Sequence, residues 1–202
     1  MRVGFYIRAV PERGRMVGQA LEQLGQVEVV WDTDHRGLAF NNIQSLTKAL
    51  AKDWDWICLL QDDFVYCLDF INTVTQLVSL TSCDALVLFI MSKPQGKLIE
   101  RFGEIEVYRA RRNQLATIPV YKREVAEKVL EGIKKAYRTG DKRADDGVTM
   151  RAIIDSQYRV GILYPSLCEH LGVKSVMGNS WVTFGRERKA FRFIGTDRKP
   201  ML

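Results

Sequence analysis

Trp54-Asp-Trp-Ile-Cys-Leu-Leu-Gln-Asp-Asp-Phe-Val-Tyr-Cys-Leu-Asp-Phe70 contains an apolar run that ends in two adjacent carboxylates, Asp62 and Asp63. In open α/β sheets ligands collect outside the carboxyl ends of the strands, where a carboxylate can bind a divalent cation that neutralises a diphosphate. Aspartate also ends strands for a local reason, because its side chain hydrogen-bonds the backbone of turns. The pair by itself fits both readings, so its meaning depends on what surrounds it.

Upstream, Arg2-Val-Gly-Phe-Tyr-Ile-Arg8 has the β-branched and aromatic content of a strand, and Pro11 marks a turn. Met16, Val17, Ala20, Leu21 and Leu24 recur at helical spacing, with Gly25 placed to stop the helix. Val27 to Trp31 reads as a second strand, and Asp32 to Gly37 as a polar loop. Ile43, Leu46, Ala49 and Leu50 mark a second helix, and Trp56 to Leu60 is the strand that leads to the aspartates. Strand, helix, strand, helix, strand predicts a single α/β domain of Rossmann type, with a mostly parallel sheet flanked by helices.

Downstream, a helix is expected over Phe70 to Leu80 and a strand over Ala85 to Met91, followed by a turn at Pro94 to Lys97. Ile105 to Tyr108 and Gln114 to Val120 read as a pair of strands. A basic helix follows over Val125 to Tyr137, then a polar segment over Thr139 to Asp145, further helix over Val148 to Ile154, and a strand over Arg159 to Tyr164. No repeat or low-complexity segment interrupts this order. The expected division is a catalytic domain over residues 1–180 and a basic C-terminal tail over 181–202.

Composition bounds the reading. The 202 residues, 47% hydrophobic and 27% charged, are enough for one domain with a real core. No apolar run is long enough to span a membrane, and the first eight residues are too short and too charged for a signal peptide, so a soluble intracellular protein is expected. Cys58, Cys67, Cys83 and Cys168 lack the paired spacings of zinc or redox sites and are expected as buried thiols. The net charge of +6 favours anionic partners, and basic residues cluster at Arg109 to Arg112, Lys134 to Arg138 and Arg186 to Arg192.

A second constellation lies late in the chain. Tyr164-Pro-Ser-Leu-Cys-Glu-His-Leu-Gly-Val-Lys-Ser175 places one of only two histidines, His170, in a loop after a strand. A neutral imidazole can complete the shell of a metal already held by carboxylate and diphosphate oxygens, although a lone histidine among apolar residues is usually structural.

Gln61-Asp62-Asp63 at a strand end, Asp145-Asp146-Gly147 before a helix and the Pro165 to Ser175 segment, in that order, resemble the glycosyltransferase A-type (GT-A) fold. The last motif is similar to the Pro-Ser-Leu…His-x-Gly-x-x-Ser segment of the branching N-acetylglucosaminyltransferases. Ile7-Arg-Ala-Val-Pro-Glu-Arg13 resembles small phage and bacterial glycosyltransferases. The resemblance spans roughly residues 2 to 180, and it implies a cytoplasmic setting in a bacterium or a phage-infected host cell.

By this resemblance Asp63 contacts Mn²⁺ or Mg²⁺, Asp62 meets the donor ribose or the ion's water shell, and His170 completes the metal site. Gln61 stands where the family commonly carries another acid, which removes a negative charge. Asp146 takes the place of the catalytic base of inverting members, accepting the proton of an acceptor hydroxyl. A carboxylate there would equally cap a helix. Arg8 and Arg13 flank the first strand-to-helix turn, where guanidinium groups can pair with donor phosphates. Asp32 or Asp34 can bond the base or ribose, with Asp34 retained as the donor contact beside Asn41.

The resemblance thus implies a metal-dependent glycosyltransferase that uses a nucleoside-diphosphate sugar, with inversion at the anomeric carbon preferred because a candidate base is present. The acceptor hydroxyl belongs to a hydroxymethylated pyrimidine of phage DNA, or to a polysaccharide or protein. Two rivals remain: a metal-dependent nucleotidyltransferase, which gives His170 no role, and a non-catalytic nucleic-acid-binding domain, suggested by charge alone.

Overall fold

Strand β1 (Val3–Ala9) forms where the β-branched and aromatic run was expected, and it is buried from Gly4 onward. Pro11 opens a short 3₁₀ turn, Pro11–Arg13, that feeds helix α1 (Gly14–Leu24). Gly25 ends α1 with φ of 73°, its N–H bonded to Leu21 O, a left-handed backbone that glycine adopts without steric cost. Then come β2 (Glu28–Trp31), α2 (Leu38–Leu50), β3 (Trp56–Gln61), β4 (Phe64–Tyr66), α3 (Phe70–Leu80) and β5 (Ala85–Val87). The second half adds β6 (Leu98–Phe102), β7 (Ile105–Arg109), β8 (Pro119–Lys122), α4 (Arg123–Arg138), α5 (Asp146–Asp155), β9 (Val160–Tyr164) and β10 (Cys168–His170). The computed structural model describes residues 1–111, 117–140, 146–172 and 189–202, with the backbone alone at Asp146.

Among the described residues eight strands form one sheet, in the order β2-β1-β3-β8-β5-β9-β7-β6. The pairings run β2, β1, β3, β5, β9 and β6 in one direction, with β8 and β7 opposed. This is the α/β architecture expected from the strand-helix alternation. Side chains alternate across the sheet, so β1 and β3 contribute to two cores. Phe5, Ile7, Cys58 and Leu60 pack with α1 and α3. Tyr6, Ile57 and Leu59 pack with α2, α4 and α5 on the opposite face. All four cysteines are buried free thiols, and burial pushes Cys67 up to about 12.

Ile105 to Tyr108 does not pair with the strand that ends near Val120: β7 lies between β6 and β9, whereas β8 is inserted between β3 and β5. The sequence hid β6 because Leu98-Ile-Glu-Arg-Phe102 carries two consecutive charges and no apolar alternation, on a sheet edge where charge protects unpaired backbone. The strand expected over Ala85 to Met91 stops at Val87, beyond which Leu88 N bonds to Ile118 O and Leu167 N to Leu88 O.

The described part of the 181–202 stretch, expected as a basic tail, is built into the body. Phe191 N donates to Ile90 O at 2.8 Å, Ser166 N to Arg192 O at 2.8 Å, and Glu104 N to Met201 O at 3.0 Å. Ile194 joins the α1/α3 core. Among the described residues no helix is long and apolar enough to cross a membrane.

Candidate active site

The chain passes from β1 to β2 on one side and then crosses to β3 on the other, so the strand order reverses between β1 and β3. Ligands bind open α/β sheets at such a switch point, beyond the strand ends. Asp62 and Asp63 follow β3 directly at that edge and are 5% and 6% exposed.

Arg13 reaches them from the turn after β1. Its Nη1 lies 2.7 Å from Asp62 Oδ1 and 2.7 Å from Asp63 Oδ2, and Val10 N donates to Asp62 Oδ2 at 3.0 Å. Burial raises the Asp62 pKa; Arg13 opposes this, the Asp63 charge adds to it, and the carboxyl stays above its ordinary value. Burial acts on Asp63 too, yet the hydrogen bond from His170 and the charge of Arg13 outweigh it and hold that carboxyl below its ordinary value. Two neighbouring carboxylates thus have proton affinities pushed in opposite directions, a pattern found where carboxyl groups take different roles.

His170 arrives through a small second sheet, in which β10 pairs antiparallel with β4 and His170 stands opposite Phe64. Leu171 N bonds to Asp63 O at 2.8 Å. Gln23 of α1 bonds both the N–H and the carbonyl of Tyr66, tying β4 to the body. The His170 ring lies edge-on to Phe64 with centroids 5.1 Å apart. Gly172 N donates to Nδ1 at 2.9 Å, so the ring proton sits on Nε2, which faces Asp63 Oδ2 at 3.3 Å. In this arrangement His170 is a donor to Asp63, and it becomes a ligand only in the tautomer that gives up the Gly172 bond.

Asp63 Oδ1 is buried and has no hydrogen-bond partner among the described residues, which is the acceptor a hard cation seeks. No group of three or more His, Cys, Asp or Glu among the described residues is arranged to hold a metal ion by itself. The donor set therefore fits Mg²⁺ or Mn²⁺ only when most of the coordination comes from a ligand such as a diphosphate.

The other expected donor contacts lie around this centre. Arg8 is 4% exposed; its Nε donates to Leu60 O at 3.2 Å, Nη1 bonds Asn42 Oδ1, and Nη2 has no partner among the described residues. It sits on the α2 side of β1, and among the described residues its hydrogen bonds go to Leu60 and Asn42, not to the aspartates. Asn41 Nδ2 donates to Ala9 O at 3.2 Å, bracing α2 against the end of β1. Asp32 is buried and accepts from Arg36 N and Gly37 N at 3.0 and 2.8 Å, shaping the loop before α2. Asp34 is exposed on that loop, with the Thr33 hydroxyl 3.4 Å away. Asp146 opens α5, while its side chain, Asp145 and Lys174-Ser175 of the late motif lie outside the described residues.

Sequence reading missed Val10 N–H, Gly172 N–H and Gln23. Backbone donors carry no residue signal, and a glutamine on an amphipathic helix looks like surface. The Phe64-Val-Tyr66 run did carry a strand signal.

No family model matches the chain, and no curated protein matches its sequence. Solved structures do match. A197 from STIV superposes with a TM-score of 0.51 at 18% identity, over 84% of this chain and 85% of that one. S. aureus TarS 1-349 in complex with UDP-GlcNAc superposes with a TM-score of 0.53 at 13% identity, over 87% of this chain. The match covers 62% of that TarS chain. At such identities the likeness shows the fold alone, a GT-A-like, Rossmann-type domain.

Proposed function

We propose that the chain is a glycosyltransferase that moves a sugar from a nucleoside-diphosphate donor to an acceptor hydroxyl with the help of Mg²⁺ or Mn²⁺. The observation that carries this reading is the buried Asp62–Asp63 pair at the β1/β3 switch point, with Asp63 Oδ1 lacking a partner among the described residues. The fold supports it, since TarS carries UDP-GlcNAc on a related framework.

The roles divide by position. Arg13 supplies a guanidinium for the diphosphate, Asp62 lies beside it for the donor ribose, and Asp63 Oδ1 is the oxygen for the cation. His170 fixes the other oxygen of that carboxylate through its 3.3 Å contact. A bound cation would neutralise the charge that develops on the departing diphosphate. Asp146, at the start of α5, accepts the acceptor's hydroxyl proton while that oxygen bonds to the anomeric carbon and the carbon–diphosphate bond breaks. One in-line displacement inverts the anomeric centre and releases a nucleoside diphosphate.

For the acceptor, we favour a hydroxymethylated pyrimidine in DNA. The net charge of +6 supports a polyanion. So does the segment beside the site: Phe191 is 51% exposed, its ring lies 6.1 Å from that of Tyr164, and the Arg192 guanidinium stands 5.9 Å from the Tyr164 ring. Aromatic faces interleaved with arginine suit a base drawn out of its stack. A hydroxyl of a polysaccharide or protein requires the same chemistry.

The test is a screen of nucleotide sugars with Mn²⁺ for release of free nucleoside diphosphate, beside Asp63→Ala and Asp146→Asn. Turnover is expected from wild type alone, with donor binding kept in Asp146→Asn. A wild-type protein that neither binds nor cleaves any nucleotide sugar overturns the reading.

A further inference from the structure

Three of the four carboxylate oxygens at the site are already engaged by the chain itself. Asp62 Oδ2 accepts from Val10 N, and Asp62 Oδ1 and Asp63 Oδ2 both face Arg13 Nη1 at 2.7 Å. Only Asp63 Oδ1 is without a partner among the described residues. A magnesium-type ion takes about six oxygens, so an ion arriving alone meets one ready ligand. It also meets a guanidinium that already neutralises one of the two negative charges.

We propose that Arg13 is the built-in counter-charge of the aspartate pair and makes cation binding conditional on a diphosphate. As the nucleotide arrives, the guanidinium passes from the carboxylates to the diphosphate oxygens, which frees Asp62 Oδ1 for the cation beside Asp63 Oδ1, while His170 stays on Asp63 Oδ2. Arginine suits this exchange because it stays charged and its planar fork matches carboxylate and phosphate alike. Its backbone is held in the Pro11–Arg13 turn, where Arg13 N bonds to Val10 O at 3.0 Å, so only the side chain has to move. No bond is made or broken in this step, and the pair is never left without a positive neighbour. The inference rests on the donor reading above and adds an order of binding to it: nucleotide before, or together with, cation.

The experiment measures Mn²⁺ binding by the electron paramagnetic resonance of free ion, with MnCl₂ alone and with MnCl₂ plus UDP, on wild type, Arg13→Gln and Arg13→Lys. Wild type is expected to bind Mn²⁺ at least about tenfold more tightly with UDP than without, and Arg13→Gln to bind Mn²⁺ alone about tenfold more tightly than wild type. Arg13→Lys, which keeps the charge, should stay close to wild type with Mn²⁺ alone. Calorimetry of UDP without metal should show weaker binding by Arg13→Gln. Equal affinity of wild type and Arg13→Gln for Mn²⁺ alone overturns the proposal. So does a wild type that binds Mn²⁺ equally well with and without UDP, a comparison that needs no variant to fold. Failure of the donor reading looks different: no nucleoside diphosphate binds, with or without Mn²⁺.

Discussion

His170 Nε2 lies 3.3 Å from Asp63 Oδ2, and Nδ1 of the same ring accepts the Gly172 N–H. The imidazole thus links a late backbone amide to an early carboxylate, and it is 3% exposed. Replacing it with alanine removes a buried ring and a donor to a buried carboxylate, a loss of about 2–4 kcal/mol in unfolding free energy. Urea titration with linear extrapolation would measure it. A His170→Ala protein as stable as wild type would mean that the β4–β10 ribbon holds without the ring.

Asp84 ties three strands together at the opposite end of the sheet. Its carboxylate accepts from Lys122 Nζ at 2.7 Å and from Arg159 N at 2.8 Å. Burial pushes the Asp84 pKa up, but the bonds from Lys122 and Arg159 outweigh it, so the folded value lies below the ordinary one. A depressed carboxylate stabilises the fold fully above its unfolded pKa of about 3.9 and loses that contribution as pH falls through the folded value. Asp84→Asn should therefore be less stable than wild type by about 1–2 kcal/mol near neutrality. Unfolding curves of the two proteins should converge in acid; a gap that widened below the unfolded pKa would contradict the assignment.

Ile194 is 8% exposed and packs into the α1/α3 core. Ile194→Ala should cost about 2–4 kcal/mol, and thermal unfolding would show the shift. A stability unchanged within error would return the C-terminal segment to the status of a tail.

Gly161 leaves no room for a side chain. A Cβ there would stand 2.4 Å from Val107 Cγ1 and 2.9 Å from Leu86 Cδ2. Val107 is β-branched and buried between strands, so it yields only by distorting the β7–β9 pairing. Gly161→Ala is expected to destabilise by about 1–3 kcal/mol through overpacking, again read from denaturant unfolding. Wild-type stability in this variant would show that Val107 has another rotamer at little cost.

Much of the first half was legible because its signals are local. The Phe5/Ile7 and Tyr6 alternation, the Val17, Ala20, Leu24 spacing and the glycine stop at Gly25 each act within a few residues. The second half was less legible for a physical reason. Whether Pro119–Lys122 pairs with Ile105–Arg109 or inserts between β3 and β5 depends on which neighbours bury it, and Val120 and Tyr121 suit any central strand equally well. The charged edge strand β6 carries no hydrophobic alternation that would reveal it.

The candidate site divides along the same line. The sequence by itself determined the residue chemistry: an acidic pair after an apolar strand, an arginine after the first strand, and a late histidine. Only the tertiary structure decided what these groups do to one another, since side-chain pairing is a matter of angstroms between segments far apart in the chain. It set Arg13 between the two aspartates and turned His170 into a donor through a single backbone amide. It also left Asp63 Oδ1 as the one carboxylate oxygen of the pair without a partner among the described residues.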